Sequence, residues 1–395
     1  MSEKFDVVVI GGAVIGSSLA YFLAEDSGFK GRILVVEKDT SYARAASSLS
    51  LSSIRQQFST RINIEASLFG LRFLRNANDL LAVEGVSPGL RLEENGYLYI
   101  ATSEQGRETL RTNNVLQRKM GADVVLLTRD QVQEKYPWLK SDDISLCALG
   151  RSGEGWFDGY ALMQAFKAKA RELGVTYRQG KAVAIERKGN RLTGIILADG
   201  QTIACGTLVN CAGASGARVM AAAAGIAIPV FAKKRCVFSF AAKMVIPRCP
   251  LIVDSSGVYV RTDGQQYVCG YSPNDLDETD AATDFDVDWA LFEDVIWPAL
   301  AARVPLFEVI KPGRAWAGHY DMNIVDHNAI VGPLPGLQNF LIAAGFSGHG
   351  MQHAPAIGRG LAEFIQHGRY TTLDLSAYSF ERIIRGEPIL EHNVI

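Results

Sequence analysis

Residues 5–37 restrict the possible folds more than any other stretch of this chain. They read F-D-V-V-V-I, G-G-A-V-I-G, an apolar-periodic run to about Ala24, and then R-I-L-V-V-E ending at Glu37. The nearly continuous apolar, β-branched run from Phe5 to Ile10 predicts a strand buried on both faces of a parallel sheet. Gly11, Ala13 and Gly16 occupy the three glycine positions of a dinucleotide-binding turn. The first serves a tight turn, the second close approach of backbone to a pyrophosphate, and the third close packing of helix on strand. Phosphate would sit on the free N–H groups of Val14, Ile15 and their neighbours, at the positive end of the following helix. Glu37 lies 21 residues after Gly16, where a carboxylate accepts hydrogen bonds from an adenosine ribose. Ala13 replaces the middle glycine. A methyl is the smallest intrusion there, and Gly12 beside it keeps the turn permissive. The turn alone does not separate FAD from NAD, and an α/β unit with no ligand is the plainer alternative.

Forty Lys and Arg stand against 42 Asp and Glu, so no net field invites nucleic acid or an anionic membrane. Six cysteines (Cys147, Cys205, Cys211, Cys236, Cys249, Cys269) show no C-x-x-C pair, which predicts a reduced, cytoplasmic setting. The first apolar run is the opening strand itself, so no signal peptide is expected. The longest weakly polar run elsewhere, Val219–Phe231, contains Gly225 and Pro229 and is too short to span a bilayer.

Beyond Glu37, the run R-A-A-S-S-L-S-L-S-S-I-R-Q-Q-F from Arg44 to Phe58 offers small hydroxyl donors to a phosphate or an aromatic ring, or is a plain serine-rich loop. Arg55 stands near the start of a helical pattern reaching about Leu81. It either grips a carboxylate through its bidentate fork or makes a surface ion pair. Residues 89–150 change texture: Tyr97–Ile100 reads as a strand, and Thr102–Gln105 and Thr128–Gln131 have capping-box spacing. Helix (Tyr160–Leu173), strand (Ala182–Arg187), hairpin (Ile195–Ile203) and the buried strand T-L-V-N-C-A-G (Thr207–Gly213) follow. From Pro229 to about Tyr320 a second insertion carries strands Cys236–Phe240, Val258–Arg261 and Tyr267–Gly270 and a helix near Trp289–Ala302. Asp275–Asp294 holds nine acids and no Lys or Arg, as a solvated loop leading into a helix N-terminus would.

Asn339–Gln352, N-F-L-I-A-A-G-F-S-G-H-G-M-Q, is a second strand running into a glycine-laced turn, with a helix expected to about Ile365. A flavin needs such a second set of backbone donors for its pyrimidine edge, whereas a nicotinamide does not. His349 and His353 are spaced i, i+4, as zinc ligands can be, but no third ligand accompanies them and no metal is expected.

These stretches together resemble the D-amino-acid oxidase superfamily, in the branch of sarcosine oxidases, dimethylglycine dehydrogenase and glycine oxidase. The resemblance rests on G-G-A-V-I-G, the Glu37 strand end, N-C-A-G (Asn210–Gly213) and above all G-F-S-G-H-G (Gly345–Gly350). S-I-R-Q-Q-F at Ser53, W-A-G-H-Y-D at Trp316 and N-A-I-V-G-P at Asn328 are similar to mitochondrial FAD-dependent oxidoreductase-domain proteins that assist assembly of a respiratory complex. The resemblance implies an α/β (overall α+β) molecule. A Rossmann-type FAD-binding domain would be assembled from residues 1–88, 151–226 and 321–395. A mixed, mostly antiparallel sheet from residues 89–150 and 227–320 would roof the flavin. It implies FAD contacts at Gly11, Gly12, Ala13, Val14, Ile15, Gly16, Glu37, Lys38, Ser47, Ser48, Val183, Ala212 and Gly213. A second set follows at Gly345, Phe346, Ser347, Gly348, His349, Gly350, Met351 and Gln352.

The implied chemistry is hydride transfer from an amine N–CH bond to flavin N5, with hydrolysis of the imine and reoxidation by O2 or another acceptor. Sarcosine oxidases that attach FAD to cysteine carry it where Gly318 stands. Related dehydrogenases use a histidine in the loop after the second strand, and Lys38–Ile54 contain none, so dissociable FAD is expected. Gln352 and Val268 stand where sarcosine oxidases carry a substrate-binding and an oxygen-activating lysine. The substrate carboxylate is therefore assigned to Tyr259 and Arg261 on a roof strand, with Arg55, His349 and Tyr320. Arg261 as an edge-strand ion pair, His349 as a turn residue and Tyr320 as core remain the alternatives. The expected substrate is an N-substituted glycine such as sarcosine, dimethylglycine or iminodiacetate. A dehydrogenase, or a flavoprotein assembly factor with little turnover, is the other reading.

Overall fold

The computed structural model describes residues 3–273, 280–281 and 283–393. The opening strand, Glu3–Ile10, is parallel to Ile33–Glu37 on one side and to Thr202–Asn210 on the other. Val7 and Val9 pack beneath helix Val14–Glu25, while Phe5, Val8 and Ile10 pack beneath helix Gly213–Ala223. Burial on both faces is why the run is apolar throughout instead of alternating. The sheet continues through Thr176–Gln179 beyond Ile33–Glu37. On its other side Thr202–Asn210 is shared: its first half pairs antiparallel with Arg191–Leu197, its second half parallel with Phe340–Ala344. That sharing brings the second glycine-laced turn beside the first. Helix Gly350–His367 crosses Val14–Glu25 at close range. A Cβ on Gly358 would lie 2.2 Å from Ser18 Oγ, and Ser18 Oγ donates to Ala354 O at 2.8 Å.

A second sheet runs in the order Ile310–Asn323, Val230–Ala242, Gln266–Tyr271, Val258–Asp263, Leu251–Val253, Tyr97–Ala101, Leu146–Gly150, Val124–Leu127. Leu251–Val253 pairs with Tyr97–Ala101 in parallel and the other ladders are antiparallel. Phe238, Phe240, Tyr267 and Cys269 point to one face, where Phe292 and Phe307 cover them. By the period of two, Arg235, Val237, Gly270 and Tyr259 share the opposite face, towards the first sheet. A small third sheet joins Ser53–Ile54, Gly155–Phe157 and Leu92–Glu93.

Several local expectations shift. Ser103, not Thr102, caps its helix, accepting Gly106 N at 3.1 Å, whereas Thr128 and Gln131 form the full reciprocal box. The helix after Arg55 begins only at Arg61. Strand Ile310–Asn323 runs unbroken through residue 320, where sequence reasoning placed a domain boundary. The helical run after Asp288 opens into a π-turn, Phe292–Ile296, just before Pro298, a wider turn that accommodates a residue with no N–H. Asp288 caps it through Leu291 N at 3.2 Å. Asp275, Asp277 and Glu278 of the acidic stretch lie outside the described residues. Among the described residues no helix is long and apolar enough to cross a membrane.

Candidate active site

The first glycine turn is set by backbone approach. Gly11 N donates to Val36 O at 2.8 Å, and Gly11 sits at φ +98° with its missing Cβ only 2.2 Å from Cys211 O. A Cβ on Gly16 would lie 1.9 Å from Gly11 O. Ala13, by contrast, has φ −72°, a conformation any residue adopts, so the departure from glycine carries no strain. Glu37 accepts Gly12 N at 2.8 Å through Oε2 and Asp39 N at 2.9 Å through Oε1.

Three helices begin at one cavity of about 630 Å³: Val14–Glu25, Gly213–Ala223 and Gly350–His367. Their N-caps, Ala13, Ala212 and His349, make no side-chain capping bond, and none of the three has an acid in its first turn. Ser103, Thr128, Asp158 and Asp288 do cap helices elsewhere. Three convergent positive helix ends whose own N-cap side chains leave their N–H groups unbonded, with Ser47 Oγ accepting Val14 N at 3.3 Å, fit an anionic ligand with several acceptors, which is what the pyrophosphate and pyrimidine edge of FAD present. The second turn is strained to suit: Gly345, Ser347 and Gly348 have φ of +75°, +49° and +91°. Strand end Asp321–Asn323 pins this turn. Asp321 Oδ2 accepts Gly345 N and Asp321 O accepts Ser347 N, both at 2.9 Å. Burial raises the Asp321 carboxyl to about 6. A Cβ on Gly348 would lie 2.5 Å from the Tyr320 ring, so only glycine lets turn and roof close on each other.

The roof contributes Tyr97, Arg235, Val237, Leu251, Tyr259 and Tyr320 to the same cavity, and Arg55, His349 and Gln352 line it from the other side. Tyr259 lies across Gly270, whose absent Cβ would be 2.3 Å from its hydroxyl. Burial pushes the Tyr97 hydroxyl up to about 12 and raises those of Tyr259 and Tyr320, so all three are neutral. Arg235 is buried with its guanidinium 5.1 Å from the Tyr320 ring centroid. His349 is buried, stacked edge-on against Phe58 at 4.9 Å, and its Nε2 has no hydrogen-bond partner among the described residues. Burial, reinforced by Arg55 and His353, holds its imidazole well below the usual range. Glu37, Asp39 and Asp321 are the acids among the cavity's lining residues.

Of the residues singled out from sequence, Gly11, Ala13, Val14, Ile15, Glu37, Lys38, Ser47, Ala212, Gly213, Phe346, Gly348, His349, Gly350, Met351 and Gln352 line this one cavity. Arg55, Tyr259 and Tyr320 line it with them. Gly12, Gly16, Gly345 and Ser347 shape the turns from behind, and Ser48 is not among the lining residues. Val183 is exposed and outside the cavity, which Lys181 reaches instead. Arg261 is not brought to the site. Its guanidinium donates to Thr262 O, Asp263 and Leu51 O and lies 5.1 Å over Trp156, because two further residues along the strand carry it past the cavity. Sequence reasoning missed Arg235 and Tyr97. Arg235 was hidden in A-K-K-R-C-V, where a charge in an alternating strand reads as solvent-facing. His349 and His353 hold ring centroids 5.8 Å apart, and no set of three metal-ligating side chains occurs among the described residues.

Behind Arg55 lies Glu154, fully buried, accepting Gln56 N at 2.6 Å and Gln57 Nε2 at 2.7 Å. Burial raises its carboxyl to about 7, against about 4.5 when exposed. The folded state therefore binds an extra proton between those values, and stability falls as pH rises through that window, by on the order of 3 kcal/mol. Glu154→Gln is expected to flatten the dependence of Tm on pH between about pH 5 and about pH 8, measured by thermal unfolding.

Comparison with known proteins agrees with this geometry. The model of the family DAO, FAD dependent oxidoreductase, matches residues 6–364. FAD-dependent oxidoreductase domain-containing protein 1 of Xenopus laevis is 38% identical over 434 aligned residues, covering 100% of this chain and 85% of that protein. Mitochondrial sarcosine dehydrogenase of Mus musculus is 26% identical, covering 95% of this chain and 41% of that longer protein. The crystal structure of L-proline dehydrogenase from P. horikoshii superposes with a TM-score of 0.86 at 25% identity, covering 98% of this chain and all of that one. This chain belongs to the DAO family of FAD-dependent oxidoreductases, and it binds FAD.

Proposed function

We propose that this protein oxidises a secondary or tertiary amine bearing a carboxylate, an N-substituted glycine of the sarcosine, dimethylglycine or iminodiacetate kind. One observation carries the reading. The cavity that begins at the three convergent helix ends continues to a roof of three neutral tyrosines, with the buried Arg235 and Arg55 among its lining. Arg235 and Arg55 bind the carboxylate, through charge-assisted hydrogen bonds strengthened by burial. Tyr97, Tyr259 and Tyr320 exclude water and orient the N–CH bond. The acids at Glu37 and Asp39 belong to the nucleotide end, and Asp321 is committed to Gly345 N, so among the described residues a cationic amine finds no counter-charge and the amine binds neutral. His349, itself neutral, offers Nε2 to the amine as a hydrogen-bond partner. When bound, FAD would supply the acceptor for the hydride of the N–CH bond, which carries both electrons of the oxidation; water then hydrolyses the free imine or iminium to an amine and a carbonyl compound.

FAD is held without a covalent bond. Gly318 offers no side chain, and the Cys211 thiol, which burial pushes up to about 12, is no nucleophile. O2 is the proposed acceptor, yielding H2O2. A dedicated acceptor in its place is favoured by the likeness to two dehydrogenases. The test is anaerobic titration of the purified yellow protein with sarcosine, dimethylglycine, iminodiacetate and proline, following the flavin absorbance, then admission of air. Bleaching by an N-substituted glycine supports the reading, and colour restored by air identifies O2 as acceptor. A flavin that none of these amines reduces excludes it.

A further inference from the structure

Arg55 lies in a stretch that no sheet or helix holds. Strand Ser53–Ile54 ends before it and helix Arg61–Leu80 begins six residues later, yet its guanidinium is one of two buried cations in the substrate end of the cavity. Something else must fix it. Its backbone N donates to Gln352 Oε1 at 2.8 Å. Its guanidinium donates to Gln57 O at 2.9 Å and to Asn393 O at 2.6 Å, and it stacks 4.0 Å over Phe58. One of its two hydrogen-bond acceptors thus comes from a residue 338 positions away, beyond the last helix, Glu381–Arg385.

That residue is held by Glu391. The Glu391 carboxylate is buried and accepts six donors. Oε1 takes Ser59 N (2.8 Å), Ser59 Oγ (2.7 Å) and Asn393 N (3.0 Å). Oε2 takes Thr60 N (3.1 Å), Thr60 Oγ (2.8 Å) and Asn63 Nδ2 (2.9 Å). Thr60 gives its helix no side-chain cap of its own; Glu391 supplies the acceptor, and an anion at a helix N-terminus is favourable. In the same stroke it ties Asn393 to residues 59–60, and Asn393 Nδ2 donates to Gln57 O at 3.0 Å. Both acceptors of the Arg55 guanidinium are therefore set by this clasp. With two of five N–H donors so engaged, the fork is held in one orientation with the rest available to a ligand.

We infer that Glu391, through Asn393, is a positioning residue of the substrate site: it holds Arg55 oriented for a carboxylate. The inference rests on the proposed function and deepens it. The full-length holoprotein with Glu391→Ala and, separately, Glu391→Gln tests it. The readouts are KM and kcat for the amine that reduces the flavin, the dissociation constant of acetate from its perturbation of the flavin spectrum, and thermal unfolding. The expected result is a rise of about tenfold in KM and in the acetate constant, with kcat within about twofold and FAD retained. Glu391→Gln, which keeps one carbonyl acceptor, should show a smaller rise, and it carries the test if Glu391→Ala does not fold. A variant with lowered Tm but unchanged KM and acetate binding overturns the inference and leaves Glu391 a helix cap only. A wild-type protein that oxidises no amine removes the proposed function alone, because acetate still reports on Arg55; one that binds no acetate either overturns both.

Discussion

Gly11→Ala is expected to give a protein that folds poorly and is purified without flavin. At φ +98° an alanine is strained by about 1–3 kcal/mol. Its Cβ would also fall 2.2 Å from Cys211 O, between strand ends whose backbones are bonded on both sides, Gly11 N to Val36 O and Cys211 N to Ile10 O at 2.8 Å each. Relief requires those strands to part at the N-terminus of helix Val14–Glu25, the end proposed for the pyrophosphate of FAD. Loss of more than about 100-fold in FAD affinity is the expected size, measured by fluorescence titration of the apoprotein. Gly89→Ala separates strain from approach: its φ is +69° with nothing within 4 Å, so it should cost about 1 kcal/mol and keep FAD. A Gly11→Ala protein with full flavin content would show that the close approach is dispensable.

Arg235→Gln is expected to raise KM for carboxylate-bearing amines on the order of 10²-fold, with FAD binding intact. Removing a buried cation that meets a carboxylate forfeits a charge-assisted hydrogen bond of roughly 1.5–3 kcal/mol. An amine of the same shape lacking the carboxylate should be oxidised no worse by the variant than by the wild type. Arg261→Ala is the contrast: it lies outside the cavity's lining, and its guanidinium donates to Leu51 O, Thr262 O and Asp263, so Tm should fall while KM stays within about twofold. Steady-state kinetics on the two variants decide between the arginines, and a steep KM effect at Arg261 alone would move the carboxylate site.

The two arginines also show where sequence reasoning stops. Both stand on roof strands, and alternation places each on the face of a cavity-side neighbour, Val237 for Arg235 and Tyr259 for Arg261, once the strand is known to reach back to Val230. What alternation leaves open is height along the strand relative to the other sheet. Arg235 pairs with Gly318 on the edge strand and meets the cavity. Arg261 pairs with Val268 and has already passed it, onto Trp156. Val183 and Lys181 differ in the same way at the nucleotide end.

The sequence by itself determined the opening strand–turn–helix unit, the partner strand ending in Glu37, the second glycine-laced turn and the mixed α/β class. Each rests on local chemistry: a doubly buried strand must be apolar throughout, and positions of positive φ or backbone contact select glycine. It also determined the family, since these local units recur in fixed order. Only the tertiary structure decided which roof-strand arginine lines the cavity, that three helix ends share that cavity, and that Glu391 clasps residues 59–60 and, through Asn393, Arg55. Those facts depend on register between sheets and on contacts spanning more than 300 residues, where a side chain's neighbours are set by packing and leave no period or spacing in the chain.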